Sequence, residues 1–134
     1  MSGYGILDTL LEVWLVHKAT LATYDGDVED RYHQLVPSYS DPVAIPDCRL
    51  YDLVETEIIS LAQTGVVGVS KKLLVPPSLD PAFRSKVSNF LTNGKDINGI
   101  SDIVVDPAEY EVAKSEMRRS TIDEFRELFL RRLA

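Results

Sequence analysis

The chain has 134 residues, a formal net charge of −7 and a sequence pI near 4.7; this length fits one domain. With 45% hydrophobic and 26% charged residues, it has the composition of a folded globular protein. The acidic balance disfavours non-specific attachment to nucleic acid or to anionic membranes. Cys48 is the single cysteine, so no intrachain disulfide can form. The sequence therefore predicts an intracellular, cytoplasmic, soluble protein without a signal peptide.

The first predicted helix runs from Ile6 to about Thr23. Its apolar residues occupy roughly half of a helical wheel, which predicts contacts on two sides. These residues are Ile6, Leu7, Leu10, Leu11, Trp14 and Leu21. The acid-rich stretch that begins at Tyr24 ends this helix. A segment at 36–46 with three prolines then predicts an extended connector.

Two further helices are predicted in the middle of the chain. Asp47 is the expected N-cap of a helix at 49–64, and Gly65 stands where a left-handed C-terminal residue is favoured. Asp80-Pro81-Ala82 predicts the start of a third helix, which Asn93-Gly94 would end. Each of these helices carries an apolar stripe suited to packing in a bundle.

The C-terminal region at 106–134 carries the strongest helix signal in the sequence. Asp106-Pro107-Ala108-Glu109 combines an N-cap, a proline at the first helical position and an acid that can close a capping box. The region is predicted as one helix or as two that meet near Ser120-Thr121, where Thr121 and Glu124 would form a second capping box. Its apolar stripe consists of Ile122, Phe125, Phe129 and Leu133.

Together these elements predict a mainly α-helical single domain over residues 1–134. The expected architecture is a compact bundle of four to five helices with one or two short β segments. The β-branched run at about 66–75 predicts one bent strand or a small hairpin, and 100–105 predicts a second short strand.

The sequence predicts no catalytic, cofactor or metal site. A nucleophilic cysteine would need a histidine beside Cys48, and no motif surrounds this residue. His17, His33 and Cys48 are too widely spaced for a typical zinc site. The acids at 25–30 begin like a calcium loop, but the loop lacks the required glycine and final glutamate. Glu57 is expected as a partly buried, salt-bridged carboxylate.

The C-terminal stripe is the predicted functional surface, because its crowded apolar residues exceed what one contact face covers. Two interpretations stay open. The stripe packs within the domain core, chiefly against the first helix around Trp14, or part of it docks into a groove on another chain. The predicted interface residues are Trp14, Phe125, Leu128, Phe129, Leu133, Arg131 and Arg132.

These features predict a non-enzymatic protein–protein interaction or assembly module, such as an adaptor, a regulator or a subunit of a larger cellular or viral complex. Its partner would be another protein or a second copy, without cofactor, small-molecule substrate or membrane. The first alternative is a winged-helix-like regulator associated with nucleic acid. Its basic face would consist of Lys71, Lys72, Arg84 and Lys86. The second alternative is an enzyme of unrecognised type. It would require one pocket shared by His17, His33, Cys48 and Glu57.

Overall fold

The computed structural model describes residues 15–95, 97–119 and 124–133, and within these ranges the fold is mostly β. Nine strands and one helix follow one another along this part of the chain. They are β1 (His17–Ala22), β2 (Tyr24–Glu29), β3 (Leu35–Tyr39), β4 (Val43–Asp52), α1 (Glu55–Gln63), β5 (Val69–Val75), β6 (Lys86–Asn93), β7 (Ser101–Asp106), β8 (Tyr110–Arg119) and β9 (Glu124–Arg132).

Six of the strands close into an antiparallel barrel. The order around the barrel is β1, β4, β5, β9, β8 and β6, and β6 pairs back with β1. β8 pairs with the first residues of β6, whereas β7 pairs with its last ones and extends the sheet beyond the barrel. β2 and β3 form a separate two-stranded sheet between β1 and β4. Closure pairs the strand edges that an open sheet would expose.

Apolar side chains fill the inside of the barrel, two from each of its six strands. Phe90 and Tyr110 meet edge to face with ring centroids 5.7 Å apart, a favourable aromatic geometry. Removing these side chains from water is the main stabilising contribution to the fold. They are Ala19, Leu21, Ile45, Cys48, Leu73, Val75, Val87, Phe90, Tyr110, Val112, Leu128 and Leu130.

A second apolar cluster lies outside the barrel, where α1 covers part of the sheet. Leu61 of α1 packs with Leu53, Val69 and Phe129. β9 is therefore buried on both faces, with Leu128 inside the barrel and Phe129 beneath the helix. α1 has nine residues. Within the described ranges no helix has the length and apolar character needed to cross a membrane.

The predicted helical bundle is wrong at both ends of the chain. Residues 17–22 of the first predicted helix form β1, and its earlier part, including Trp14, lies outside the described residues. The region predicted as the C-terminal helix contains β8 and β9, which pair along their whole lengths. The second predicted capping box also lies outside the described residues, because it involves Thr121.

The middle of the chain departs from the predicted bundle in part. The helix expected at 49–64 is present only as α1, and residues before Leu53 belong to β4. Gly65 follows α1 with a left-handed φ of 87°, as the sequence predicted. The third predicted helix is absent: residues 80–85 form neither a helix nor a strand, and residues 86–93 form β6. The two predicted β segments correspond to β5 and β7, and the segment at 36–46 includes most of β3 and the start of β4.

Asp106 makes the hydrogen bond expected of a helix N-cap, but the residues after it form a turn into β8 and not a helix. Asp106 Oδ1 accepts the backbone N–H of Ala108 at 2.8 Å, the kind of bond that an N-cap makes. The following residues then pair with β9, because the barrel offers alternate side chains of β8 a buried face. Tertiary packing here overrides a helix propensity that is worth only tenths of a kcal/mol per residue.

Candidate protein-interaction surfaces

The predicted interface residues on β9 and just after it have different environments. Leu128 and Phe129 are buried within the chain itself, at 0% and 3% exposure. Phe125 is half-buried beside Tyr51 and Val54, in a groove next to the start of α1. The structure thus brings Phe125 and Phe129 to the same outer face, where Phe129 lies beneath α1 and Phe125 lies beside its start.

The remaining predicted interface residues lie near the end of β9. Arg131 donates through Nε to the carbonyl of Val67 at 2.9 Å and through Nη1 to Glu111 at 3.0 Å. Arg132 is exposed and Leu133 is half-buried. Trp14 lies outside the described residues.

The four residues considered for catalysis do not share one site. His17 and Cys48 are neighbours in the pairing of β1 with β4, but His17 Nδ1 accepts the backbone N–H of Leu50 at 3.0 Å. Burial, and to a smaller extent the charge of Asp47, raises the pKa of the Cys48 thiol to about 12. Such a thiol is the reverse of an activated nucleophile. His33 lies in the turn between β2 and β3, and Glu57 lies on α1.

Glu57 is the salt-bridged carboxylate that the sequence predicts. Its carboxylate accepts from Lys72 Nζ at 3.0 Å and from the backbone N–H of Val54 at 3.3 Å. Partial burial alone would raise the pKa of Glu57, but these hydrogen bonds and the charge of Lys72 lower it below its usual value. Among the described residues, no group of three His, Cys, Asp or Glu side chains is arranged to hold a metal ion.

The basic residues considered for nucleic acid each face an acidic partner. Lys71 pairs with Asp52, and Lys72 pairs with Glu57 at 3.0 Å. The other two also pair with carboxylates, Arg84 with Asp27 at 3.8 Å and Lys86 with Glu109 at 3.3 Å. The helix that a winged-helix arrangement needs after residue 80 is strand β6.

The segment around β7 exposes an unusual run of β-branched residues. Ile103 is 50% exposed and Val104 is 60% exposed, and they are consecutive in the strand. A half-buried strand alternates apolar and polar residues, whereas here neighbouring residues are both apolar and both in water. The exposed apolar residues of this segment are Ile97, Ile100, Ile103, Val104 and Val105. We name residues 97–105 the β7 patch.

One long edge of β7 has no neighbouring strand among the described residues. β7 pairs with β6 and is the last strand of its sheet. Unpaired backbone groups on an exposed apolar edge form a template for another strand, and proteins usually protect such edges. The β7 patch is therefore a candidate site for contact with another chain.

Local irregularities shorten this free edge. The pairing of β6 with β7 shifts register twice, and Asp102 has a left-handed φ of 65°. Thr92 bridges this irregularity, because its hydroxyl donates to the carbonyl of Ile100 at 2.8 Å and accepts the N–H of Ile103 at 3.1 Å. Asp102 also forms an ion pair with Lys18. The regular apolar part of the edge is thus confined to residues 103–105.

The sequence predicted the strand at 100–105 but not the exposure of its side chains. The available signal is the lack of alternation in Ile103-Val104-Val105, a run that Asp102 and Asp106 flank. In isolation this run is equally typical of a fully buried strand. Only the position of β7 beyond the closed barrel leaves the run in water.

A second candidate surface is the hairpin of β2 and β3, which we name the arm. Tyr32 and Leu35 near its turn are 66% and 73% exposed. Asp30 holds the turn by accepting the backbone N–H groups of Tyr32 at 2.8 Å and Gln34 at 3.0 Å. The arm therefore presents apolar side chains on a preformed turn.

Aromatic and cationic side chains anchor the base of the arm to the barrel. The guanidinium of Arg84 lies 4.5 Å from the ring centroid of Tyr24 and donates to the Tyr24 hydroxyl at 3.0 Å. Tyr24 meets Tyr39 edge to face with ring centroids 6.2 Å apart. The backbone N–H of Tyr24 donates to the buried Ser85 hydroxyl at 3.0 Å. These contacts fix the direction of the arm.

Replacing Arg84 by alanine is expected to loosen the arm without unfolding the barrel. Loss of the cation–π contact and the hydrogen bond should speed amide exchange in β2 and β3 roughly tenfold. The matched control is Arg31→Ala, since Arg31 lies 4.9 Å above Tyr32 at the exposed turn. Amide exchange in β2, measured by mass spectrometry, should become faster in Arg84→Ala and stay unchanged in Arg31→Ala. Equal effects from both variants would show that Arg84 does not anchor the arm.

Two shallow grooves flank α1 on the outer face of the barrel. One has a volume of about 400 Å³ and is lined partly by Tyr51, Leu74 and Phe125. The other, of about 390 Å³, lies between α1 and β8 and includes Lys114 and Arg118. The Glu57–Lys72 ion pair borders the first groove, and Glu57 borders both. The linings of both grooves carry charges of both signs, which indicates no particular ligand.

Comparisons of the chain with protein-family models, with curated proteins and with solved structures found no match.

Proposed function

We propose that this protein is a non-enzymatic interaction or assembly module that contacts another protein chain through the β7 patch. The observation that carries the proposal is the exposed run of Ile103, Val104 and Val105 on an edge strand. Association would remove these side chains from water at a gain of about 25 cal/mol per Å². The same edge left uncovered would be a hazard for aggregation.

The surroundings of the patch support a role in binding. A charged side chain at its border forms a local pair, as Lys18 does with Asp102 of the patch. An apolar centre with a paired polar rim is the usual anatomy of a protein interface. A lone thiol that is fully buried suits a reducing setting, and we propose a cytoplasmic location.

The proposal is tested by comparing partners of the natural protein and of a patch variant. The double change Ile103→Ser and Val104→Ser should lower the yield of specific co-purified partners at least tenfold, a loss of about 1.4 kcal/mol or more in binding. Partners are measured by quantitative mass spectrometry from the source cells. Sedimentation velocity on the purified chain detects a second copy as partner.

The matched control is Val28→Ser with Leu35→Ser, which removes similarly exposed apolar residues from the arm. This control should retain the partners that the patch variant loses. Unchanged partners and unchanged sedimentation in the patch variant would contradict the proposal. Loss of partners in the control alone would assign the interface to the arm instead.

A further inference from the structure

We infer that β7 binds an extended segment of a different protein, which joins the sheet as an additional strand beside Ile103, Val104 and Val105. This inference rests on the proposed function and specifies the conformation and side-chain types of the partner's segment. β7 already pairs with β6 on one side, and its other side has no strand among the described residues. Backbone groups on such an edge bind extended peptides by main-chain hydrogen bonds, while alternate side chains supply specificity.

The neighbouring ladder defines the direction of the added strand. β7 and β8 both run antiparallel to β6, β8 beside its first residues and β7 beside its last ones. β9 pairs with the opposite edge of β8, and the N–H of Leu133 donates to the carbonyl of Glu109 at 2.9 Å just beyond the end of β9. A strand that continued this ladder past Glu109 would run along β7. The added segment therefore lies in line with β9 and antiparallel to β7.

The exposed side chains define the composition of the segment. Ile103 and Val105 are 50% and 38% exposed, and Val104 between them is 60% exposed. Because successive residues of a strand point to opposite faces, both faces of β7 offer apolar contact. The bound segment should therefore carry β-branched or aromatic residues at successive positions, since cross-strand apolar pairs stabilise a sheet.

Charge disfavours a second copy of β7 as the occupant. Two copies that matched their apolar residues would pair about Val104 and place Asp102 of each opposite Asp106 of the other. Like charges directly opposite each other destabilise a strand pair. A shift by one residue would place Ile103 or Val105 opposite an aspartate. Two chains with a net charge of −7 also repel each other at long range. Asp102 already pairs with Lys18 and Asp106 with the Tyr110 hydroxyl, so a facing carboxylate would compete for these partners. A different protein with lysine or arginine at the ends of its apolar segment avoids this competition.

The test attaches a strand to the full chain. A short glycine–serine linker after Ala134 is followed by the five-residue strand lysine–valine–threonine–valine–lysine, whose two lysines are four positions apart, as Asp102 and Asp106 are. Tethering beside Leu133 raises the effective concentration of the strand to the millimolar range. Three matched fusions carry the same strand broken by two prolines, the same strand with glutamates at its ends, or the chain's own sequence from Ser101 to Asp106.

The lysine-ended strand should slow amide exchange of Val104 at least tenfold and raise the melting temperature by about 4 °C or more. The proline strand should do neither. Val104 is the readout because the N–H of Ile103 already donates to Thr92 on the β6 side, and successive N–H groups of a strand point to opposite edges. The glutamate-ended strand and the chain's own sequence should protect β7 less than the lysine-ended strand does. Equal protection by the chain's own sequence would identify a second copy as the partner and overturn the inference.

Absence of protection by every strand, or equal protection by the proline strand, would also overturn strand addition. Neither result bears on whether the Ile103→Ser and Val104→Ser variant loses its partners, which the proposed function predicts. A patch that loses its partners on mutation yet accepts no strand would keep the proposed function and reject this mode of binding. A patch that accepts the strand but loses no partner on mutation would reject the proposed function alone.

Discussion

Phe129→Ala and Leu130→Ala are each expected to cost several kcal/mol of stability, although the two residues are neighbours on β9. Phe129 is 3% exposed beneath α1, and Leu130 is 0% exposed inside the barrel. Truncation of a buried phenylalanine costs about 3–5 kcal/mol and that of a buried leucine about 2–5 kcal/mol, since transfer and cavity terms add. Either loss is a large part of the roughly 5–15 kcal/mol that stabilises a typical domain.

Equilibrium unfolding in urea measures both losses, and Phe125→Ala is the matched control. Phe125 lies on the same strand but is only half-buried at the edge of a groove. Its truncation should cost roughly 1 kcal/mol, in proportion to the smaller area that it removes from water. In the helix that the sequence predicted, Phe125 and Phe129 share one stripe and should respond alike. Equal losses at these two positions would contradict the deeper burial of Phe129 beneath α1.

The Cys48 thiol is expected to react about a thousandfold more slowly in the folded protein than in the unfolded chain at pH 8. Burial raises its pKa from 9.0 to about 12, which lowers the thiolate fraction at this pH by about that factor. Steric protection adds to the effect, because Cys48 is 0% exposed. The measurement is the rate of reaction with an aromatic disulfide, with and without urea. Fast reaction of the folded protein would refute a buried position for Cys48.

The same shift predicts that stability falls in alkaline solution. Below about pH 9 the thiol is protonated in both states, and its full contribution is present. As the pH rises towards 12, the unfolded chain loses this proton more readily than the folded protein, so the contribution is lost. Tyr110 acts in the same direction between pH 10 and 12, because burial and its hydrogen bond to Asp106 raise its pKa to about 12.

Urea midpoints measured from pH 7 to pH 10.5 test this dependence, with Cys48→Ala as the control. The variant should show a shallower decline above pH 9, since only the tyrosine contribution remains. An identical decline in both proteins would show that Cys48 does not contribute to it.

Some features of the candidate site follow from a few adjacent residues, and others depend on the tertiary structure. The strand at Ile103–Val105 was predictable, because three consecutive β-branched residues favour extended structure. Its exposure was not predictable, since an uninterrupted apolar run is equally typical of a buried strand. For Leu128 and Phe129 the sequence left core packing and an interface both open, and the structure buries the two side chains within the chain. Glu57 was assigned correctly as a salt-bridged acid, because helix position alone predicts partial burial.

By itself, the sequence determined the features that depend on a few adjacent residues. These include the end of α1 at Gly65, the turn that Asp106 stabilises, the extended state of β5 and β7, and the acidic surface charge. The tertiary structure alone decided that residues 17–22, 86–93 and 124–132 are strands. Glu, Arg and Leu at three- and four-residue spacing favour a helix by small amounts per residue. Closure of the barrel outweighs this preference, because it buries twelve side chains and pairs the strand edges of distant segments.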